Sequence, residues 1–248
     1  MSKHKYAKYN DIEVVYKPEL HGGGLRFGQQ FIPVVKEKLG HVGHVGHAFE
    51  YCAGAGFIGF SLLAHKLCDK LTLADVNPEA VKICKETVKN NHLESKVAVY
   101  LSDCLDSIPE TEKWDLVVAS PPHVFTSNED QYKKDRILYD PNFRIHKNFY
   151  RDIKKFLKPD GSVLFQEHKE AHDVEDFRGI IEENGLKIVE VFTYKNPSGS
   201  PNDKEPSYGV YLKKPWGLFD PFHIYRFLKR RINPWPTRNY YFIWCKLA

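Results

Sequence analysis

Nothing in the 248-residue sequence approaches the run of roughly 18 apolar residues that a bilayer-spanning helix needs, and the lysine-rich start from Met1 to Lys8 leads into no apolar signal core. The expectation is a cytoplasmic protein without a transmembrane segment. Cysteine is scarce. The five residues Cys52, Cys68, Cys84, Cys104 and Cys245 are odd in number, four sit inside apolar runs, and none forms a C-x-x-C pair. That spacing excludes a disulfide or zinc framework and fits small buried hydrophobes in a reducing compartment. Long repeats and low-complexity tracts are absent, so a solenoid is excluded. With 42% hydrophobic and 27% charged residues, disorder, collagen and coiled coil are excluded as well. At roughly 100 to 200 residues per domain, the chain forms one large domain, or one domain with an appendage.

Charge is unevenly spread. The whole chain carries +4, but residues 207–248 hold eight basic residues against Asp220 alone, giving +7 and leaving the first 206 residues at −3. The same tail contains Trp216, Trp235 and Trp244, three of the four tryptophans.

From Gly46 onward, short apolar runs alternate with longer amphipathic ones, the pattern of a parallel sheet covered by helices on both faces. Residues 47–52, 71–75, 97–101, 115–119, 162–166 and 188–193 read as strands. Residues 57–68, 78–91, 142–157 and 174–184 read as helices by their 3.6-residue spacing. Asn77 before Pro78 is an N-cap followed by an N1 proline, and Gly185 suits a helix end. Earlier, residues 27–39 read as a helix, joined by the Gly22-Gly23-Gly24 turn to a strand near 12–16. Three regions follow: an N-terminal strand and helix extension over 1–45, a core over 46–206, and a basic aromatic segment over 207–248 that ends in a strand at 240–246 and packs on the core.

The first core strand runs into Glu50-Tyr51-Cys52-Ala53-Gly54-Ala55-Gly56-Phe57-Ile58-Gly59, and a helix follows at once. Glycines in such a turn let backbone approach a ligand closely, at a helix N-terminus with free N–H groups. Asp75, at the tip of the next strand and roughly 20 residues on, is placed to hold vicinal ribose hydroxyls. Nicotinamide dinucleotide and S-adenosylmethionine sites share that logic. The loop separates them: it starts with an acid, which would repel pyrophosphate, and lacks the full G-x-G-x-x-G spacing.

From about Gly46 to Thr193 the chain resembles the class I S-adenosylmethionine-dependent methyltransferases. The resemblance rests on Glu50 to Gly56, on Asp75-Val76-Asn77-Pro78, on Ser102-Asp103 after the third strand, and on Ala119-Ser120-Pro121-Pro122-His123 after the fourth. It implies a Rossmann-like α/β fold, a seven-stranded sheet whose last strand is antiparallel. It also implies that Glu50, Gly54 and Gly56, with Cys52 and Ala53, line the methionine moiety. Asp75 would hold the ribose beside Val76 and Asn77, and Asp103 would accept from the adenine amino group beside Cys104. Ser120 borders both cofactor and acceptor.

Ser120-Pro121-Pro122-His123 resembles the Asn/Asp/Ser-Pro-Pro-aromatic motif of HemK-like glutamine methyltransferases and of amino-methylating nucleic-acid enzymes, the small-domain methyltransferases. Acceptors from the Ser120 side chain and the Pro121 carbonyl, fixed by consecutive prolines, can bind both N–H groups of a planar nitrogen and turn its lone pair toward a methyl group. Serine replaces the commoner Asn or Asp, and His123 replaces the stacking aromatic, so His123 is also placed to act as a general base.

Gln166, Glu167 and His168 lie at the tip of the fifth strand, so Glu167 and His168 are substrate candidates. Val124 to Phe143 reads as a long loop of mixed charge, a lid or substrate-selecting segment. His41, His44 and His47 suit neither one helix face nor a zinc motif, and no metal site is expected. In the tail, Asp220-Pro221 opens an amphipathic helix to about Ile232, whose Arg226, Lys229, Arg230 and Arg231 can meet an anionic surface or whose apolar side can cover the cleft. The expected activity is methyl transfer from S-adenosylmethionine to a nitrogen of RNA or protein, a nucleobase amine or a protein amide. Two alternatives stand beside it: a small-molecule N- or O-methyltransferase lidded by the tail, and a non-catalytic binding protein on the same fold.

Overall fold

The computed structural model describes residues 4–20, 24–39, 45–193 and 240–248. The tail helix expected at 220–232, with Arg226, Lys229, Arg230 and Arg231, lies outside the described residues, as do His41 and His44.

A seven-stranded sheet forms the middle layer. Its strands are β3 (Val45–Tyr51), β4 (Cys68–Asp75), β5 (Val97–Leu101), β6 (Trp114–Ala119), β9 (Leu157–His168), β10 (Leu186–Phe192) and β11 (Tyr240–Leu247), in the spatial order β10-β11-β9-β6-β3-β4-β5. β5, β4, β3, β6 and β9 run parallel, and β11 runs antiparallel to β9 and β10, as expected for residues 240–246. The order reverses beside β3, so the C-terminal ends of β3 and β6 part around a crevice, the position where open α/β sheets bind ligands.

The two-residue period of β3 distributes its side chains between the faces. Phe49 and Tyr51 enter one core layer, where Phe49 stacks on Trp114 at 4.0 Å, while Ala48 and Glu50 turn toward α2 (Phe57–Ala64). α2 is buried along its whole length and ends four residues before the expected Cys68, because Cys68 already pairs with Val45 as the first residue of β4. α3 (Pro78–Asn90) begins as the sequence indicates: the Asn77 side chain accepts from the Glu79 N–H at 3.0 Å, and Pro78 follows.

The N-terminal region holds β1 (Lys5–Tyr9), β2 (Ile12–Tyr16) and α1 (Gly24–Leu39). β1 was unexpected in the lysine-rich start, where only Ala7 and Tyr9 turn inward. β2 buries Val14 and Val15 fully, and the Val15 N–H donates to Thr87 Oγ1 on α3 at 3.0 Å. The segment read as a loop over 124–143 is ordered instead. It contains β7 (Val124–Thr126), α4 (Glu129–Lys134) and β8 (Tyr139–Pro141), with β7 and β8 paired in parallel. Asn128 caps α4 by accepting from the Asp130 N–H, a signal short enough to be hidden among the charges. α5 (Arg144–Asp152) and α6 (Glu175–Glu183) complete the face over Phe165. Among the described residues, no helix is long and apolar enough to cross a membrane.

Candidate active site

A cleft opens at the C-terminal ends of β3, β4, β5 and β6. Its walls include Glu50, Cys52, Ala53, Gly54, Asp75, Val76, Asn77, Asp103, Cys104 and the run Ser120 to His123, which come from four separate sequence motifs. Leu20, Tyr132, Arg136 and Ile137 close it from the N-terminal region and from the segment between β6 and α5, contributions no local motif announced.

Three expected site residues stand elsewhere. Gly56 does not line the cleft; at φ +76° it is the left-handed N-cap of α2, and a Cβ there would lie 2.7 Å from the Phe60 ring. Glu167 is fully buried behind His123 and does not reach the cleft wall. His168 is also outside the lining and packs edge-on against Tyr240 at 4.8 Å, since both sit on paired positions of β9 and β11.

The acids are anchored by backbone. Glu50 accepts from the Gly59 N–H at 2.6 Å and the Ile58 N–H at 3.2 Å, so its carboxyl caps the otherwise open first turn of α2. Burial pushes its pKa up to about 8, against those two bonds, which favour the charged form. Asp75 accepts from the Gly54 N–H through Oδ2 and from the Asn77 N–H through Oδ1, both at 2.8 Å. Burial raises it too, opposed by the backbone N–H groups of Asn77, Gly54 and Val76. An ionised carboxylate has room for about four donors, so Asp75 can still accept from a group in the cleft. Asp103 is half exposed and pairs with Arg144 at 3.1 Å, a partner the sequence did not reveal. The described cleft thus offers hydroxyl acceptors and more acidic than basic groups, Arg136 being the lone Arg or Lys in its lining. That donor set fits a cationic sulfonium joined to a ribose, and the chemistry of a pyrophosphate would find mostly repulsion.

Behind the cleft runs a buried chain of titratable groups. Ser120 Oγ lies 3.4 Å from His123 Nε2, and His123 Nδ1 lies 3.2 Å from Glu167 Oε2. Glu167 Oε1 is 3.0 Å from His146 Nε2, and His146 Nδ1 is 2.6 Å from Asp140 Oδ2. Asp140 also accepts from the Ile145 N–H at 2.9 Å, fixing the start of α5. His146 stacks on Phe177 at 4.6 Å, which holds its ring plane. Burial alone would pull His146 down, but the charges and bonds of Glu167 and Asp140 outweigh it and hold the imidazole well above its ordinary value. Burial likewise pushes Glu167 up, yet His146 and His123 outweigh it and hold the carboxyl well below the usual range. Asp140 and His146 belonged to stretches read as loop and plain helix. Their spacing brings them together only because β8 turns directly into α5.

The ring of His47 bonds Thr72 Oγ1 at 2.9 Å. All five cysteines are free, and all but the half-buried Cys52 are buried.

The sheet order, with its antiparallel β11 and its ligand edge beside β3, defines a class I methyltransferase fold. A putative sarcosine dimethylglycine methyltransferase from Galdieria sulphuraria superposes with a TM-score of 0.55 at 13% identity, covering 89% of this chain and 85% of its own. A model of the methyltransferase small domain matches residues 31–179, and the chain belongs to that family. Among its relatives, a release factor glutamine methyltransferase of Clostridium acetobutylicum is 28% identical over 152 residues, 57% of this chain and 52% of that protein. A second, from Leptospira interrogans, is 30% identical over 125 residues, 50% of this chain and 42% of its own length. A ribosomal protein uL3 glutamine methyltransferase of Francisella tularensis is 27% identical over 137 residues, 52% and 43% of the two chains. The chain spans about half the length of the relatives it matches.

Proposed function

We propose that this chain is an S-adenosylmethionine-dependent methyltransferase that acts on a nitrogen presented at Ser120 to His123. One observation carries the reading: Asp75, anchored by backbone N–H donors of Gly54 and Asn77, lines the same cleft that Ser120 and His123 border. The cofactor, when bound, supplies a methyl group already activated by its sulfonium. Asp75 accepts from the ribose hydroxyls, with Val76 and Asn77 alongside. Glu50, Cys52, Ala53 and Gly54 border the methionine end, and Asp103 with Cys104 the adenine. The Pro121 carbonyl and Ser120 Oγ accept from the incoming nitrogen and hold its lone pair in line, so positioning supplies most of the catalysis.

The relatives, which methylate glutamine in a release factor or a ribosomal protein, support nitrogen as the accepting element and a protein as its carrier. A carrier of that kind supports a cytoplasmic reaction. Acceptor choice falls to the segment between β6 and α5, which supplies Tyr132 and Arg136 to the cleft, and to the basic aromatic tail. Tritiated S-adenosylmethionine incubated with the enzyme and with separated RNA, protein and metabolite fractions of a cell extract tests the reading. Label is expected in the protein fraction. Label confined to RNA or metabolites would overturn the protein acceptor, and none in any fraction would overturn the activity.

A further inference from the structure

The chain from Ser120 to Asp140 fixes where protons sit. An ionised carboxylate only accepts, and both ring nitrogens of His146 face one, Asp140 at 2.6 Å and Glu167 at 3.0 Å. His146 therefore carries both of its protons. The second Glu167 oxygen faces His123 Nδ1 at 3.2 Å, so Nδ1 bears the proton of that ring. In the neutral ring Nε2 is then the acceptor, facing Ser120 and the cleft. Asp140, His146 and Glu167 together carry one uncompensated negative charge, all at 2% side-chain exposure or less. A proton arriving on His123 Nε2 neutralises it.

Resting on the methyltransferase reading, we infer that His123 is the general base of the transfer, that Glu167, His146 and Asp140 are its positioning residues, and that the acceptor is an amine arriving as its ammonium ion. The class follows from acid strength. An imidazole backed by a carboxylate can take a proton from an ammonium, but a carboxamide is far too weak an acid, and it needs only orientation of its lone pair. The step balances: an ammonium N–H bond breaks, its proton goes to His123 Nε2, and the electron pair left on nitrogen forms the new N–C bond as the S–C bond of the cofactor breaks and leaves a neutral thioether. Ser120 Oγ, 3.4 Å from Nε2, accepts a second N–H and keeps the nitrogen beside the base.

The groups facing His123 are Ser120 on its own loop, Glu167 and His168 on β9, and Tyr240 on β11, whose ring lies 5.6 Å from that of His123. Long-range proton–nitrogen NMR on the full chain with ¹⁵N-labelled histidine reads the tautomers directly and needs no acceptor. At pH 8, His123 is expected as the Nδ1–H tautomer and His146 as the doubly protonated ring. In Glu167→Gln, His146 is expected to become singly protonated, and in His123→Gln transfer falls about 100-fold. The acceptor class is read from the labelled product. Methyl bound to an amine survives strong acid hydrolysis on the amino acid, whereas methyl on an amide nitrogen is released as methylamine. A proton on His123 Nε2, a singly protonated His146 in the wild type, or release of the label as methylamine would overturn the inference. Calorimetric titration of the same samples with S-adenosylmethionine keeps the two failures apart: binding with the wrong tautomer sinks only the base, and absent binding sinks the methyltransferase reading.

Discussion

The Glu167→Gln change tests the buried relay through stability. Glu167 is fully buried and contacts His146 at 3.0 Å and His123 at 3.2 Å, so the substitution keeps shape while removing the charge that holds the His146 imidazolium. Breaking one side of a buried pair costs about 3 to 5 kcal/mol. Because the amide still offers an oxygen and an N–H to the two rings, the lower figure of about 3 kcal/mol is expected. For a chain of this length that lowers Tm by about 6 to 12 °C.

The pH dependence supplies the sharper sign. His146 is held above its ordinary 6.5, so its contribution is complete below pH 6.5 and is lost as pH rises toward its folded value. Glu167 is held below its ordinary 4.5, so the same interaction seen from its other end is present above pH 4.5 and lost as pH falls. The slope above pH 6.5 is about 1.4 kcal/mol per unit for one proton, or ~2.7 kcal/mol between pH 6.5 and 8.5. Urea unfolding followed by tryptophan fluorescence at both values measures it, and the difference between wild type and variant cancels the other titrating groups. The gap is expected to shrink from about 3 kcal/mol at pH 6.5 to a few tenths at pH 8.5. Parallel stability curves, or equal midpoints at pH 6.5, would refute the assignment of a charged His146.

The remaining expectations rest on other parts of the cleft. Glu50 has its pKa raised to about 8, so affinity for the cationic cofactor grows as pH rises through 8, and isothermal titration of Glu50→Gln is expected to show a flat profile over that range. Gly56→Ala forces a side chain into φ +76° and sets a Cβ 2.7 Å from the Phe60 ring; a loss of about 2 kcal/mol is expected in urea unfolding, and an unchanged midpoint would mean the turn tolerates it. Arg144→Ala frees Asp103 of its 3.1 Å ion pair, and adenosine, titrated alone, is expected to bind several-fold more tightly if Asp103 accepts from the adenine amino group.

Most of the sheet was legible because parallel strands write themselves as apolar runs. Val97–Leu101 falls on its expected boundaries, and β3, β4, β6, β10 and β11 stand within about three residues of theirs, whereas β9 begins five residues early, where the helix over 142–157 was expected to end. The four motifs at strand ends were legible for the same reason, since topology alone carries the ends of β3, β4, β5 and β6 to one edge. Residues whose roles depend on distant partners were not. Glu167 read as a substrate contact because its position at a strand tip was visible, whereas its partner His146, 21 residues earlier on another element, was not. Tyr132 escaped notice because the segment from Val124 to Phe143 shows charges but no clean period, its α4 having only six residues. Gly56 was assigned to the ligand because glycine in such a loop serves either close approach or a left-handed turn, and the sequence does not separate the two.

In the proposed function, the edge beside β3 and β4 holds S-adenosylmethionine through Asp75. Isothermal titration of wild type and Asp75→Ala with S-adenosylmethionine measures it, in a variant whose lost carboxylate also releases the Gly54 and Asn77 donors. One cofactor per chain is expected in the wild type, with affinity at least tenfold weaker in the variant, a loss of about 1.4 kcal/mol or more. No binding by the wild type, or equal affinity in both, would contradict the account.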